Sequence, residues 1–252
     1  MPPSSRHIVC AAFAFVATLL TAGVARADDP PNSLGTVYAG IQGLAIVGQH
    51  EDVAGTQHGV GAGPLFQVRG GGRRVAVGVE GIPVVSVPQG ASQHYGQATP
   101  KLGIINTDAE YALDPQSHFW FGLGMTVYNQ RTPLPNLQQE VSSRLAGLRY
   151  VVRYHQDLNL AHFVEVFVGG APALWGADHY LYTDPTIPPI NKDEKASEVD
   201  ASASFGLRQA KNEWIFGVRL LNFSAHFTAT GDAADRNVGV GPFVEWRHLI
   251  RQ

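Results

Sequence analysis

Cysteine is almost missing from this chain: the only one, Cys10, lies inside an apolar run near the N-terminus. Beyond that run there is none, which excludes disulfide staples, thiol catalysis, cysteine-ligated zinc and iron–sulfur chemistry. Long hydrophobic runs are missing too. Apart from "IVCAAFAFVATLL", no stretch approaches the ~20 apolar residues that a membrane helix needs. Helical periodicity does not appear after residue 27, and basic residues do not cluster as a nucleic-acid surface requires. The Gly-rich "RGGGRR" joins two extended stretches rather than opening a helix, so it is not a nucleotide cradle. The sequence therefore calls for no cofactor, no metal and no nucleic acid. His50, His58, His94 and His179 fall in the long connections and read as solvated polar residues rather than as a metal site.

What is present begins with an export signal. Arg6 and His7 precede the apolar run, and "ARA" at residues 25–27 has the small-x-small form of a cleavage site, followed by the polar "DDPPNS". The expected division is a signal peptide over residues 1–27 and one domain over 28–252. Removing the signal takes Arg6 and Arg26 from the 18 basic side chains and leaves all 21 acidic ones, a mature charge of about −5.

The rest of the chain alternates. In "HFWFGLGMTVYNQ", Phe119, Phe121, Leu123, Met125 and Val127 share one face, and Trp120, Gly122, Gly124, Thr126 and Tyr128 the other. Period-two patterning of this kind marks a β-strand with two different surroundings. Ten such stretches read as strands: 35–47, 62–70, 73–85, 101–113, 118–130, 143–155, 162–175, 199–209, 214–227 and 238–249. The connections alternate short and long without exception. "GGG", "DPQS", "QDLNLA" and "AKNE" are short; "GQHEDVAGTQHGVG" and "GADHYLYTDPTIPPINKDEKASE" are among the long ones.

With its signal, alternating strands, segregated loop lengths and last strand "VGVGPFVEWRHL", the chain resembles the small outer-membrane β-barrel proteins of Gram-negative bacteria. The resemblance is one of architecture over the whole mature chain, without a diagnostic family motif. It departs at the end, where the chain runs past Trp246 to "HLIRQ". The resemblance implies a single all-β domain, an antiparallel up-and-down transmembrane barrel of ten strands in the cell outer membrane. It also implies outer-membrane lipid and lipopolysaccharide as surroundings and the barrel-insertion machinery as an assembly partner. Oligomeric state is left open. Phe119, Phe121, Leu123 and Met125 would then face lipid. Trp120, Tyr154, Trp175, Trp214 and Trp246 lie near strand ends as girdle residues, with Trp120 and Trp175 also able to face the lumen.

On the polar faces, glycine and serine accompany the charges, as a narrow lumen demands. Strand direction assigns Arg69, Arg74, Arg149, Arg153, Arg208, Arg219 and Arg247 to the inner half of the barrel, with Glu80, Asp108, Glu110, Glu165 and Glu245. Arginine suits a crowded ionic network because its planar fork pairs with carboxylates at two points. The expected role is a charge-plugged, non-enzymatic barrel working through its surface loops. The positive excess keeps a small anion-conducting pore as an alternative.

Two barrel-enzyme families share the architecture. The outer-membrane proteases carry an Asp-His pair above the rim, for which Asp178-His179 is the nearest match. The lipid A deacylases carry a His-x-Ser-Asn element on a late strand, and "NFSAH" holds Ser224 and His226 in the reverse order. A bulge after Leu220 would set Asn222, Ser224 and His226 on one polar face, giving a serine with an adjacent base. Polar lumen lining is the plainer reading of both residues.

Overall fold

A computed structural model describes residues 37–52, 55–72, 74–86, 101–227 and 234–251; the expected signal peptide, residues 1–27, lies outside them. Ten strands run Val37–Asp52 (β1), Gly55–Gly71 (β2), Val75–Ser86 (β3), Lys101–Ala112 (β4), Phe119–Leu134 (β5), Gln139–Asp157 (β6), His162–Tyr182 (β7), Ile190–Gln209 (β8), Asn212–Phe227 (β9) and Ala234–Arg251 (β10). Each pairs antiparallel with its chain neighbours, and β1 pairs with β10 to close the barrel. The all-β, up-and-down expectation holds.

The alternation falls where the pattern placed it. Phe119, Phe121, Leu123 and Met125 are exposed on the outside of β5, and Leu148, Tyr150 and Val152 on the outside of β6. Trp120, Thr126, Arg149 and Val151 are buried inside. Trp120 faces the lumen, whereas Trp175 is exposed. A closed barrel with an apolar outer belt inverts the soluble sandwich, whose apolar faces pack inward.

The strand ends differ from the expected ones, mostly on one side. β7 continues to Tyr182 and β8 starts at Ile190, so most of the supposed long connection is paired strand and only residues 183–189 turn. Likewise β1 and β2 pair to Asp52↔Gly55, and β5 and β6 meet across a single 3-10 turn at Pro135–Leu137. Lys192, Asp193 and Glu194 broke the hydrophobic pattern here without breaking the backbone ladder, because a hairpin beyond an apolar belt has no need of an oily face.

At the other end the turns are tight and locally built. Asp114 accepts hydrogen bonds from the backbone N–H of Phe119 (2.6 Å) and of His118 (3.1 Å), and Ser117 takes a left-handed φ of 61°. Asn159 closes the β6–β7 turn by accepting from the N–H groups of Ala161 and His162. Short side-chain acceptors of this kind are what turn positions select for.

Candidate functional site

Every charged side chain expected inside has to come from a strand whose pleat aims it there, and nearly all of them do. Arg149 on β6 is the centre. It is 1% exposed and reaches Glu198 (3.1 Å) and Asp200 (3.4 Å) on β8 and Asp108 (3.4 Å) on β4. Arg219 on β9 donates from Nε to Asp200 (2.9 Å), and from its two terminal nitrogens to Glu80 (2.6 Å) on β3 and to Gln42 (3.0 Å) on β1. These two arginines tie six strands together across the lumen.

Toward the short-turn end a second group forms. Arg69 grips Glu110 with both terminal guanidinium nitrogens, one of them at 3.0 Å, and Arg153 donates to the same carboxylate at 3.4 Å. Arg247 clasps Glu165 through two bonds of 2.9 and 2.8 Å and also pairs with Glu245. Arg208 bonds Glu213 (3.0 Å) and Asp157 (2.7 Å), and the ring nitrogens of His155 lie 3.1 Å from Glu165 and from Asp157. The flat faces of the guanidinium groups are used as well. Arg153 lies over Phe167 (4.9 Å), Arg247 over Tyr38 (4.8 Å), and Arg208 over Phe163 (4.6 Å). Edge to carboxylate and face to ring is a geometry lysine cannot reproduce.

One expected member is elsewhere. Arg74 is exposed in the β2–β3 turn, because Gly72 donates its N–H to Val75 (2.8 Å) and the turn takes in the first residues expected of β3. Other members were missed. Glu198 lay just ahead of the expected start of β8, and Glu213 and Asp157 lay in supposed turns; all three are on paired strand. Asp200 shares the polar face of the expected β8 but is not in the expected inner set. With β8 beginning at Ile190, it is mid-strand.

These changes reverse the sign of the lumen. Among the described residues the network holds six arginines (Arg69, Arg149, Arg153, Arg208, Arg219, Arg247) and nine carboxylates (Glu80, Asp108, Glu110, Asp157, Glu165, Glu198, Asp200, Glu213, Glu245). The excess is acidic, so the positive surplus that motivated an anion pore is absent.

A second tier, which the alternation did not announce, fills the lumen toward the long-hairpin end. Leu44, Leu65, Ile104, Tyr128, Leu145, Leu174 and Phe223 are buried together, with Leu102 and Leu221 packed against them. The rings of Tyr128 and Phe223 stack nearly parallel, 3.9 Å between centroids. Among the described residues, voids of about 30 Å³ and 20 Å³ lie between the charged side chains. A single water needs ~10–15 Å³ by the same measure, so each has room for a water or two and no more.

Glycines make this packing possible at one decisive point. A Cβ on Gly169 would fall 2.4 Å from a terminal nitrogen of Arg149 and 2.8 Å from the Phe167 ring. At Gly43, on the outer face, it would meet nothing nearer than 3.9 Å. Gly169→Val should therefore lower stability by about 1–3 kcal/mol through overpacking, while Gly43→Ala stays within about 0.5 kcal/mol. Urea titration in detergent, read by gel mobility without boiling, compares the two.

Among the described residues the enzyme-like constellations do not assemble. Asp178 is fully buried and accepts a hydrogen bond from Ser143 (2.5 Å), while its neighbour His179 points to the opposite face and meets Asn191. Adjacent strand residues cannot cooperate across a sheet. β9 pairs with β8 and β10 without a register shift, so the bulge needed after Leu220 is absent. Leu221 and Phe223 take the lumen face and Ser224 the outer one; the His226 side chain lies outside the described residues.

No protein-family model and no curated protein sequence matches the chain. Among solved structures, the outer-membrane protease OmpT from Escherichia coli is similar at 8% identity and TM-score 0.45, over 88% of this chain and 99% of that one. Neisserial surface protein A is similar at 12% identity and TM-score 0.36, over 85% and 97%. The Pseudomonas putida toluene transporter TodX is similar at 9% identity and TM-score 0.37, over 88% and 92%. The likeness is to the barrel architecture of outer-membrane proteins and to nothing finer.

Proposed function

We propose that this chain is an outer-membrane barrel with a closed lumen, a non-enzymatic protein that acts through its surface and its projecting hairpins. The observation that carries the reading is Arg149, fully enclosed and held by carboxylates from two other strands, with a layer of stacked and branched apolar side chains beyond it. Among the described residues, the voids between the charged side chains admit nothing of substrate size. A transported solute would have to break several buried ion pairs at once, each costing several kcal/mol.

The outer surface supports the membrane setting. On β4, exposed Tyr111 and exposed Lys101 bracket the strand at either end, with Ile105 exposed between them. That interval matches the ~9–11 residues a tilted strand uses to cross the hydrocarbon core. β6, β7 and β8, at 19, 21 and 20 residues, are about twice that length. Their hairpins would stand well clear of the bilayer as a polar wall available to partners in the medium or to lipopolysaccharide. The export signal read from residues 1–27 supplies the route.

Cell fractionation with gel analysis of boiled and unboiled samples tests the location. The expected result is recovery with the outer membrane and a mobility shift on boiling. Recovery as a soluble periplasmic protein without a shift would refute it.

A further inference from the structure

Nine of the ten seams of the barrel wall are paired along most of the shorter strand; the seam between β2 and β3 is not. Its ladder runs from Gly71↔Ala76 up to Phe66↔Gly81 and stops. Both strands continue: β2 remains paired with β1 as far as Gly55, and β3 with β4 as far as Ser86. Extending the register past its last pair sets Pro64 directly opposite Pro83. Proline supplies no N–H and is confined in sheets to edges and bulges. β3 has a bulge at that place, where its register to β4 shifts between Ile82 and Val85. Other strand prolines interrupt the wall only briefly. The ladder resumes beyond Pro172, after the shift between Ala171 and Leu174, and beyond Pro242, at Val47↔Val240. Only where two prolines face each other does it fail to resume among the described residues.

The unpaired stretch, 61–65 against 82–86, has a definite position. Ser86 pairs with Lys101, at the polar edge of the outer belt, and Phe66, in the last pair before the gap, is exposed within the belt. The gap therefore lies at the depth of lipid hydrocarbon on the long-hairpin side. Unpaired backbone groups at that depth are tolerated only where they line a cavity or are covered. Behind the gap is the apolar tier. Leu65 on β2 and Ile104 on β4 belong to it, and Leu102 faces inward yet is only partly buried. Beneath the tier the ionic network blocks further descent.

We propose that the β2–β3 seam is a lateral opening through which an acyl chain of a surrounding lipid inserts against the apolar tier. This rests on the membrane setting proposed above. The occupant follows from the surroundings: the gap faces the apolar belt, the surface behind it is hydrocarbon, and no charged side chain of the tier would select a polar ligand. The chain docks there and is not transported, because Glu80 and Gln67 begin the polar network immediately below.

Purified protein in phosphatidylethanolamine vesicles whose acyl chains carry a diazirine can be irradiated and the adducts mapped by mass spectrometry. The expected result is adducts at inward-facing Leu65, Leu102 or Ile104, besides those on outer residues such as Phe66 and Val68. Pro64→Val with Pro83→Val restores two backbone donors and should close the seam, removing the inward adducts while keeping the outer ones and the gel shift on boiling. Adducts on outer residues alone in the unmodified protein would overturn the proposal. So would inward adducts that persist in the double variant, or a crosslink between two copies of the chain at this seam. Absence of outer adducts as well would instead overturn the membrane setting itself.

Discussion

Arg149→Ala should be among the most damaging single substitutions in this protein. It removes the one cation held at once by Glu198, Asp200 and Asp108, all deep in the lumen. Breaking a buried pair by deleting one partner costs about 3–5 kcal/mol, chiefly because the surviving charge has neither water nor a counter-ion. Here more than one carboxylate is stranded, in a lumen whose acids already outnumber its arginines. The expected result is a fall of that size in the stability of the refolded barrel, or failure to reach the fast-migrating form at all. Adding Glu198→Gln to the same chain should recover part of the loss, since one stranded charge is then gone; coupling of this kind is what contact within one network produces. Arg149→Lys should fall between the two, because a single ammonium cannot span three acceptors spread over β4 and β8. Equal stability of Arg149→Ala and the unmodified protein in urea would mean that water reaches this site.

Phe223→Ala is the second large effect, and its neighbour is the control. Phe223 is buried in the apolar tier and stacks on Tyr128, so truncation leaves a hole bounded by Leu221 and Tyr128. Phenylalanine-to-alanine changes in a packed interior cost about 3–5 kcal/mol. Ser224, one residue on, faces outward, and Ser224→Ala should shift stability by no more than about 0.5 kcal/mol. The comparison reads the pleat of β9 directly. If the serine change proved the costly one, the register would be off by one residue. The same pair bears on chemistry. An alanine at 224 that abolished a lipid-modifying activity would restore the enzyme reading that the uninterrupted β9 ladder argues against.

How much of this could be read beforehand depends on which forces leave a trace in the residue order. The pleat does. Inward Arg149 and outward Leu148 and Tyr150 follow from parity alone, and parity survives wherever the strand is regular. Strand ends left a weaker trace. Outside the apolar belt, backbone pairing continues with side chains of any polarity, so Lys192, Asp193 and Glu194 looked like loop while forming ladder. The late expected start of β8 left Glu198 off the strand, and Asp200, at its first residues, out of the network. Glu213 and Asp157 were lost for the opposite reason. They sit where a tight turn and a strand end differ by one or two residues, a margin that charge patterning cannot resolve. The apolar tier was hidden by the rule that found the rest. A rule that reads the inward faces as polar gives no place to Leu44, Leu65, Ile104 and Leu145, although they come together in one cluster from β1, β2, β4 and β6. Comparing inward positions across strands, rather than along each one, would have found them. The open seam needed more still. Pro64 and Pro83 are visible in the sequence, but only the register brings them face to face.

Closure of the lumen is the claim on which the proposed function stands, and conductance measures it most directly. Purified, refolded protein inserted in a planar bilayer at neutral pH should give a quiet baseline under applied potential, with no steady current steps. Among the described residues, the voids between the buried ion pairs have room for a few waters and for no hydrated ion. Large, long-lived steps from the unmodified protein, of either ion selectivity, would contradict the account and make the chain a pore.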